Sequence, residues 1–250
     1  MKKTVFNLVI IAVAIALALW FQLNNENLAP VSSDAETQTL LAMSWQPAFC
    51  ETKPNKPECR SQRKGRFDEA NFALHGLWPQ PRDNIYCGVP QSLQKTSWRN
   101  MPKLELSKAM RDELATKMPG YRSFLHRHEW FKHGTCLPGA DPQGYYEISL
   151  KLLDRFNTSP LRELFANNIG RELTHREVAA VMKKAFGSGA EQRISLDCLR
   201  DGRRQLIVGI NIALKVHGND DITNISENIL SAPTRSIGCK SGIVDLVGLQ

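Results

Sequence analysis

The run Gln205-Leu206-Ile207-Val208-Gly209-Ile210-Asn211-Ile212-Ala213-Leu214-Lys215-Val216 carries the strongest period-2 signal in the chain. Leu206, Val208, Ile210, Ile212, Leu214 and Val216 alternate without a break, and successive strand side chains point to opposite faces, so all six fall on one side. This spacing predicts a central core strand. Ile194 to Leu199 reads as a strand just before it, and Ile237-Gly238-Cys239 and Ile243 to Leu249 add strand-like residues after it. Two strands lie far upstream: Thr39 to Trp45, ended by Pro47, and the short apolar Phe72 to Trp78, ended by Pro79.

Helices fill the interval. Ser107 to Lys117 has Ser107 as its cap and Pro119-Gly120 as its terminator, and Tyr121 to His133 follows. Tyr145 to Phe156 comes after Pro142, and Pro160 to Asn167 has proline in its first turn. Thr174 to Phe186 opens on a capping box of Thr174 with Glu177 and stops at Gly187. Strands at both ends with helices between them imply an α+β single domain, a central antiparallel β-sheet flanked by helices, in place of alternating βαβ units. No repeat, low-complexity tract or interdomain linker divides the 250 residues.

Met1-Lys2-Lys3 and the apolar run Val5 to Phe21 have the form of a secretory signal, with Ala16-Leu17-Ala18 as a small-x-small cleavage site. An uncleaved anchor is the alternative, but the run is shorter than the ~20 residues a spanning helix prefers, and Asn7 interrupts it. The expected organisation is therefore a signal peptide at 1–18, a flexible mature N-terminus at 19–38 and a folded domain at 39–250. The expected location is periplasmic or secreted, with no stable membrane association after cleavage. Six cysteines in an exported chain read as three disulfides, with the pairing left open, although Cys50 and Cys59 could close a compact loop holding Pro54, Asn55 and Pro57. No spacing is a CxxC, so neither a zinc ribbon nor a thioredoxin-like site is indicated. The net charge is +7, and without Lys2 and Lys3 it is 30 basic against 25 acidic residues, or +5. That surplus suits a polyanionic partner but is common among exported proteins. The basic stretch Arg60, Arg63, Lys64, Arg66 reads as a solvated loop.

Chemistry concentrates in two places. The first is His128-Glu129-Trp130-Phe131-Lys132-His133-Gly134-Thr135-Cys136. At about 100° per residue, His128, Glu129, Lys132 and His133 share an arc of roughly 140° on one helix, leaving Trp130 and Phe131 to pack. A charged helix face is most often merely solvated, yet two aromatics, a glycine and a cysteine crowd the same nine residues. A zinc helix would set its histidines four apart, and these are five apart, so no metal is expected. His126 points about 200° away from His128 and reads as structural.

The second place is Phe72-Ala73-Leu74-His75-Gly76-Leu77-Trp78-Pro79. A lone histidine in an apolar strand is usually a hydrogen-bonded core residue. Gly76 beside it, where a side chain would be expected, implies a close approach to the backbone. Two histidines on separate elements, with a lysine and a carboxylate, suit metal-free phosphoryl transfer from RNA, in which the 2′-hydroxyl is the nucleophile. The protein then supplies a base, an acid and positive charge, and an imidazole with pKa near ~6.5 can serve as either.

The segments HGLWP at 75–79 and HEWFKHGTC at 128–136 resemble the two active-site segments of the ribonuclease T2 family, most like its bacterial periplasmic ribonuclease I type. The likeness extends more loosely over about residues 40–240. It implies an endoribonuclease of low base specificity that acts on single-stranded RNA without a cofactor, as a monomer. In that resemblance His133 is the general base, His75 the general acid and His128 the phosphate ligand. Lys132 and Glu129 would stabilise the pentacoordinate state and fix the histidines, and Trp78 would stack on a base. The products would be 2′,3′-cyclic phosphates, then 3′-phosphates. The family pattern also implies the disulfides Cys50–Cys59, Cys87–Cys136 and Cys198–Cys239. Gln80 departs from it, standing where several fungal members carry an acidic residue. The rival reading is a catalytically impaired RNA-binding member of the same fold.

Overall fold

A computed structural model describes residues 37–216, 222 and 224–250. The signal peptide and most of the N-terminal segment expected at 19–38 lie outside the described residues, which fall in one unit.

In chain order the elements are β1 (Thr37–Ser44), α1 (Gln46–Thr52), α2 (Pro57–Arg60), β2 (Ala73–Pro79), α3 (Gln91–Gln94), α4 (Lys108–Lys117), α5 (Leu125–Lys132), α6 (Pro142–Asn157), α7 (Pro160–Ala166), β3 (Glu172–Thr174), α8 (His175–Phe186), β4 (Ile194–Asp201), β5 (Arg204–Val216), α9 (Ile225–Leu230) and β6 (Ser241–Ile243). The sheet runs β2-β1-β5-β6-β3, and β4 also pairs with β5. The alternating run is thus the central strand, pairing antiparallel with β1 over Gly209–Val216 and with β4 from Arg204 to Ile212. The expected antiparallel sheet holds except at the parallel step Leu206↔Ile243 and at the parallel bridges Ile169↔Val244 and Leu196↔Gly238.

Five of the six alternating residues are buried in the core, as is Ile207, and Val208 is only partly buried against it; Trp45, Phe72 and Phe165 form an aromatic centre of that core, with ring centroids 4.8 to 5.8 Å apart. Trp45 is fully buried, so its indole N–H needs an acceptor, and it donates to the Asp245 carbonyl at 2.8 Å. The predicted caps form: the Ser107 hydroxyl accepts from Met110 N–H, and Thr174 with Glu177 makes the capping box. All three expected disulfides are present, joining Cys50 to Cys59, Cys87 to Cys136 and Cys198 to Cys239.

Three expectations change. The helix expected over Tyr121 to His133 is broken: Pro119–Ser123 is a 3₁₀ turn, Phe124 is left-handed at φ 63°, and α5 starts at Leu125. A left-handed non-glycine residue is unfavourable by about 1–2 kcal/mol, and here the Phe124 ring lies between the guanidinium groups of Arg99 and Arg127, each 4.8 Å away, which offsets part of that. Pro47, expected only to end a strand, sits in the first turn of α1, where its missing N–H is not needed. Consequently Cys50–Cys59 joins two short helices and not a plain loop. Of the strand-like C-terminus, only Ser241–Ile243 forms a strand, with Gly238 and Val244 adding single bridges to Leu196 and Ile169.

Candidate active site

β2 bears His75 at an irregularity in its pairing with β1. The register runs Ala42↔Gly76 and then Met43↔Leu74, which leaves His75 as the extra residue of a β-bulge. A bulge re-aims a side chain out of strict alternation, and the His75 side chain keeps 41% of its surface exposed.

Glu129 of α5 packs directly against this strand. A Cβ built on Gly76 would stand 2.1 Å from Glu129 Oε2, so the missing side chain is what admits the carboxyl group. Trp78 Nε1 donates to Oε2 at 2.7 Å, and Oε1 lies 3.6 Å from His75 Nε2. The Trp78 ring also meets His75 edge-on, with centroids 5.4 Å apart, and stacks on His133 at 5.3 Å and 30°. His128 stacks on Trp98 at 4.5 Å and 25°, and Lys56 Nζ lies 5.6 Å from the same indole. His128 and His133 are therefore each held by an aromatic face, while Glu129 lies beside His75 beyond hydrogen-bond distance.

The strand and the helix are tied beyond the site. Cys87 follows β2, Cys136 follows α5, and their bridge spans 49 residues. By chain entropy a loop of that length is worth roughly 4 kcal/mol. Beside the bridge, Tyr86 N–H donates to the Lys132 carbonyl at 2.8 Å. Tyr145 of α6 grips β2 from the core side, its hydroxyl accepting from Leu77 N–H and donating to Leu77 O, both at 3.0 Å.

The surroundings set the charges. Burial, and then the Lys132 ammonium, lower His75 to about 4. His128 falls to about 4 through burial, then Lys132 and His75. His133 falls to about 3 through burial, then Lys132, His128 and His75. Burial pushes Glu129 up to about 8, against the Trp78 hydrogen bond and Lys132. At neutral pH Glu129 therefore carries its proton, and the imidazoles beside Lys132 are neutral.

The structure brings together His75, Trp78, Glu129 and His133 by direct contact, with His128 and Lys132 alongside in their electrostatic field. His126 is apart from them, 6% exposed and stacked on Tyr121. Sequence reading missed Trp98, which stands in the aperiodic stretch 88–106, and Tyr145, whose helical spacing marks it only as core. Among the described residues no group of three or more His, Cys, Asp or Glu could hold a metal ion.

A family model described as the Ribonuclease T2 family matches residues 37–228. The chain belongs to the Ribonuclease T2 family. Ribonuclease I of Escherichia coli is 27% identical over 209 residues, covering 70% of this chain and 74% of that protein. A ribonuclease of Aeromonas hydrophila is 34% identical over 113 residues, 45% of this chain and 42% of its own length. A ribonuclease MC1 variant solved with 5′-UMP shares the fold, with a TM-score of 0.55 and 16% identity over 83% of this chain and 98% of that one. The protein is accordingly an endoribonuclease, and its likeness extends to the ribonuclease I type.

Trp78→Phe keeps a ring against His133 but removes the donor to Glu129. Leaving a buried acceptor without its partner is expected to destabilise the fold by about 1–3 kcal/mol, read as a lower urea midpoint; an unchanged midpoint would mean that this bond does not hold the carboxyl in place.

Proposed function

We propose that this endoribonuclease cleaves single-stranded RNA without a metal, by attack of the 2′-hydroxyl on the adjacent phosphorus. His133 takes the proton from the 2′-oxygen as it bonds to phosphorus, and His75 delivers a proton to the departing 5′-oxygen. His128 and Lys132 face the non-bridging oxygens, where negative charge grows. Glu129, protonated near neutrality, holds His75 and offers a hydrogen bond to the phosphorane; a carboxylic acid kept neutral by burial can donate in this way. The product is a 2′,3′-cyclic phosphate, and with water as nucleophile the two imidazoles exchange tasks and release a 3′-phosphate.

The observation that carries this reading is that one indole, Trp78, touches His75, Glu129 and His133 at once, so imidazoles from a strand and from a helix flank a single site. Those contacts make Trp78 a positioning residue. A cavity of about 260 Å³ beside His75, lined by Phe49, Lys53, Lys56 and Trp98 among others, offers aromatic and cationic surface for a base and its phosphate. Stacking discriminates little between bases, which supports low specificity. The basic leader-like N-terminus and three disulfides support export to the periplasm or medium, with signal cleavage and a monomeric mature enzyme.

Digestion of RNA in excess EDTA is expected to yield fragments ending in cyclic phosphate. His133→Ala is expected to lower kcat by ~10² to 10⁴ with RNA binding and melting temperature nearly intact. Fragments with 5′-phosphate ends, or an EDTA-silenced enzyme, would contradict the mechanism.

The pH dependence has a definite sign. The base is free above about 3, and the acid is protonated below about 4, so kcat/KM should be bell-shaped with its maximum well on the acid side of neutrality. A bound phosphodiester favours imidazolium, so the alkaline limb of kcat should lie at higher pH than that of kcat/KM. A flat profile from acid to alkaline pH would exclude two-imidazole catalysis.

A further inference from the structure

A cavity of about 390 Å³ opens at the start of α5, and none of the residues assigned to cleavage lines it. Four pieces of chain enclose it: the stretch 103–106, Arg111 of α4, Tyr121 of the 3₁₀ turn and the first residues of α5. Its wall carries three cations, Lys103, Arg111 and Arg127, and among the described residues no acidic side chain lines it. The acids beside Arg111 on α4 are engaged elsewhere, Asp112 with Lys108 and Glu113 with Lys117. Like charges gathered in a concave wall raise the local concentration of anions.

Polar groups in this wall lack partners. His126 is only 6% exposed and stacks on Tyr121 with ring centroids 4.0 Å apart, yet its Nδ1 has no hydrogen-bond partner. A buried polar atom left in that state needs a reason. Arg127 Nε is buried and unpartnered as well, although Nη1 of the same guanidinium donates to the carbonyls of Arg99 and Met101, both at 2.8 Å. The Arg111 guanidinium has one arm on the Leu106 carbonyl. Backbone carbonyls thus fix each guanidinium while further donors stay available to a ligand. Burial and then Arg127 lower His126 to about 4, and a bound anion would favour its charged form.

Arg127 also ties the cavity to the cleavage site. Trp98 stacks on His128 at that site, Lys103 stands in the cavity wall, and the strap between them is held to α5 by the two Arg127 bonds. Fully extended, this strap spans at most ~17 Å. Arg99 is exposed along it, and Lys56 lies 5.6 Å from the Trp98 ring, so cations mark the whole path.

We propose that this cavity holds a backbone phosphate of the RNA chain, a few nucleotides from the scissile one, gripped by Lys103, Arg111 and Arg127 against the His126 ring. Guanidinium forks pair bidentately with phosphate oxygens, and the substrate carries a phosphate at every linkage. Such a contact positions the chain without reading its bases, so it favours long substrates over short ones. The inference rests on single-stranded RNA as the substrate and lies outside the cleavage mechanism.

The test compares the native protein with Lys103→Gln, with Lys103→Gln/Arg111→Gln and with a charge-matched control, Arg176→Gln/Lys184→Gln, which removes two exposed cations of α8. Each is first checked for an unchanged melting transition. Two quantities are read: kcat/KM for UpU and for an oligouridylate of ~12 residues, and the salt dependence of binding to the 2′-O-methyl form of that oligonucleotide, which lacks the nucleophile. The double substitution should flatten the slope of log K against log salt by about 0.7, the value of one phosphate contact on a single strand. It should lower kcat/KM for the long substrate several-fold and leave UpU unchanged, while the control alters neither. If Arg111→Gln disturbs folding, Lys103→Gln alone, at an exposed side chain, should still flatten the slope. A slope that survives the substitutions, or one that the control flattens equally, overturns the site. Equal losses on UpU and on the long chain also overturn it, since the effect would then belong to the cleavage site. Thermal stabilisation by inorganic phosphate that only the double variant loses, with coincident slopes, would make the occupant a free anion and overturn the choice of the chain. A native protein that binds the uncleavable chain but leaves UpU intact would count against the proposed mechanism alone, because binding is read without cleavage.

Discussion

A carboxyl group pressed against a strand residue that has no side chain is the contact on which this site depends. Gly76 leaves a gap, Glu129 fills it, and the Trp78 indole closes over the carboxyl from two residues further along the same strand. Helix and strand are thereby brought close enough for His75 and His133 both to lie against the Trp78 ring. Any Cβ at position 76 would drive Glu129 away, and the histidines of α5 would move with the helix that carries it.

Burying Glu129 is expensive unless its oxygens are partnered. The molecule answers in two ways: the indole N–H satisfies one oxygen, and the raised pKa removes the charge. The same desolvation acts on the imidazoles in the opposite sense and makes protons scarce on them at neutrality. One environment therefore sets a neutral carboxylic acid beside poorly basic rings. The rings of His133 and His128 are held by stacking on Trp78 and Trp98, and their Nδ1 atoms are buried without a hydrogen-bond partner.

Much of this was legible in the residues because the relevant signals are local. Strict alternation from Leu206 to Val216 marked the central strand, Thr174 with Glu177 marked a helix start, and Gly76 beside His75 announced a close approach. The helix face of His128, Glu129, Lys132 and His133 followed from angular spacing alone. What escaped was decided by tertiary partners. Phe124 breaks a helix between two guanidiniums that arrive from elsewhere in the chain or from the next turn. Val244 to Leu249 has strand composition but lacks a neighbouring strand to pair with beyond one bridge. The bulge at His75 arises from the pairing of two strands.

The close approach of Glu129 to Gly76 is measured most directly by a double-mutant cycle on folding stability, with Gly76→Ala made in the native protein and in Glu129→Ala. Steric exclusion predicts strong coupling: the added methyl group destabilises the native background by 1–3 kcal/mol, as overpacking does, and has little effect once the carboxyl is gone. An equal penalty in both backgrounds would show that the glycine serves the strand and not the helix, and the site as described would lose its foundation.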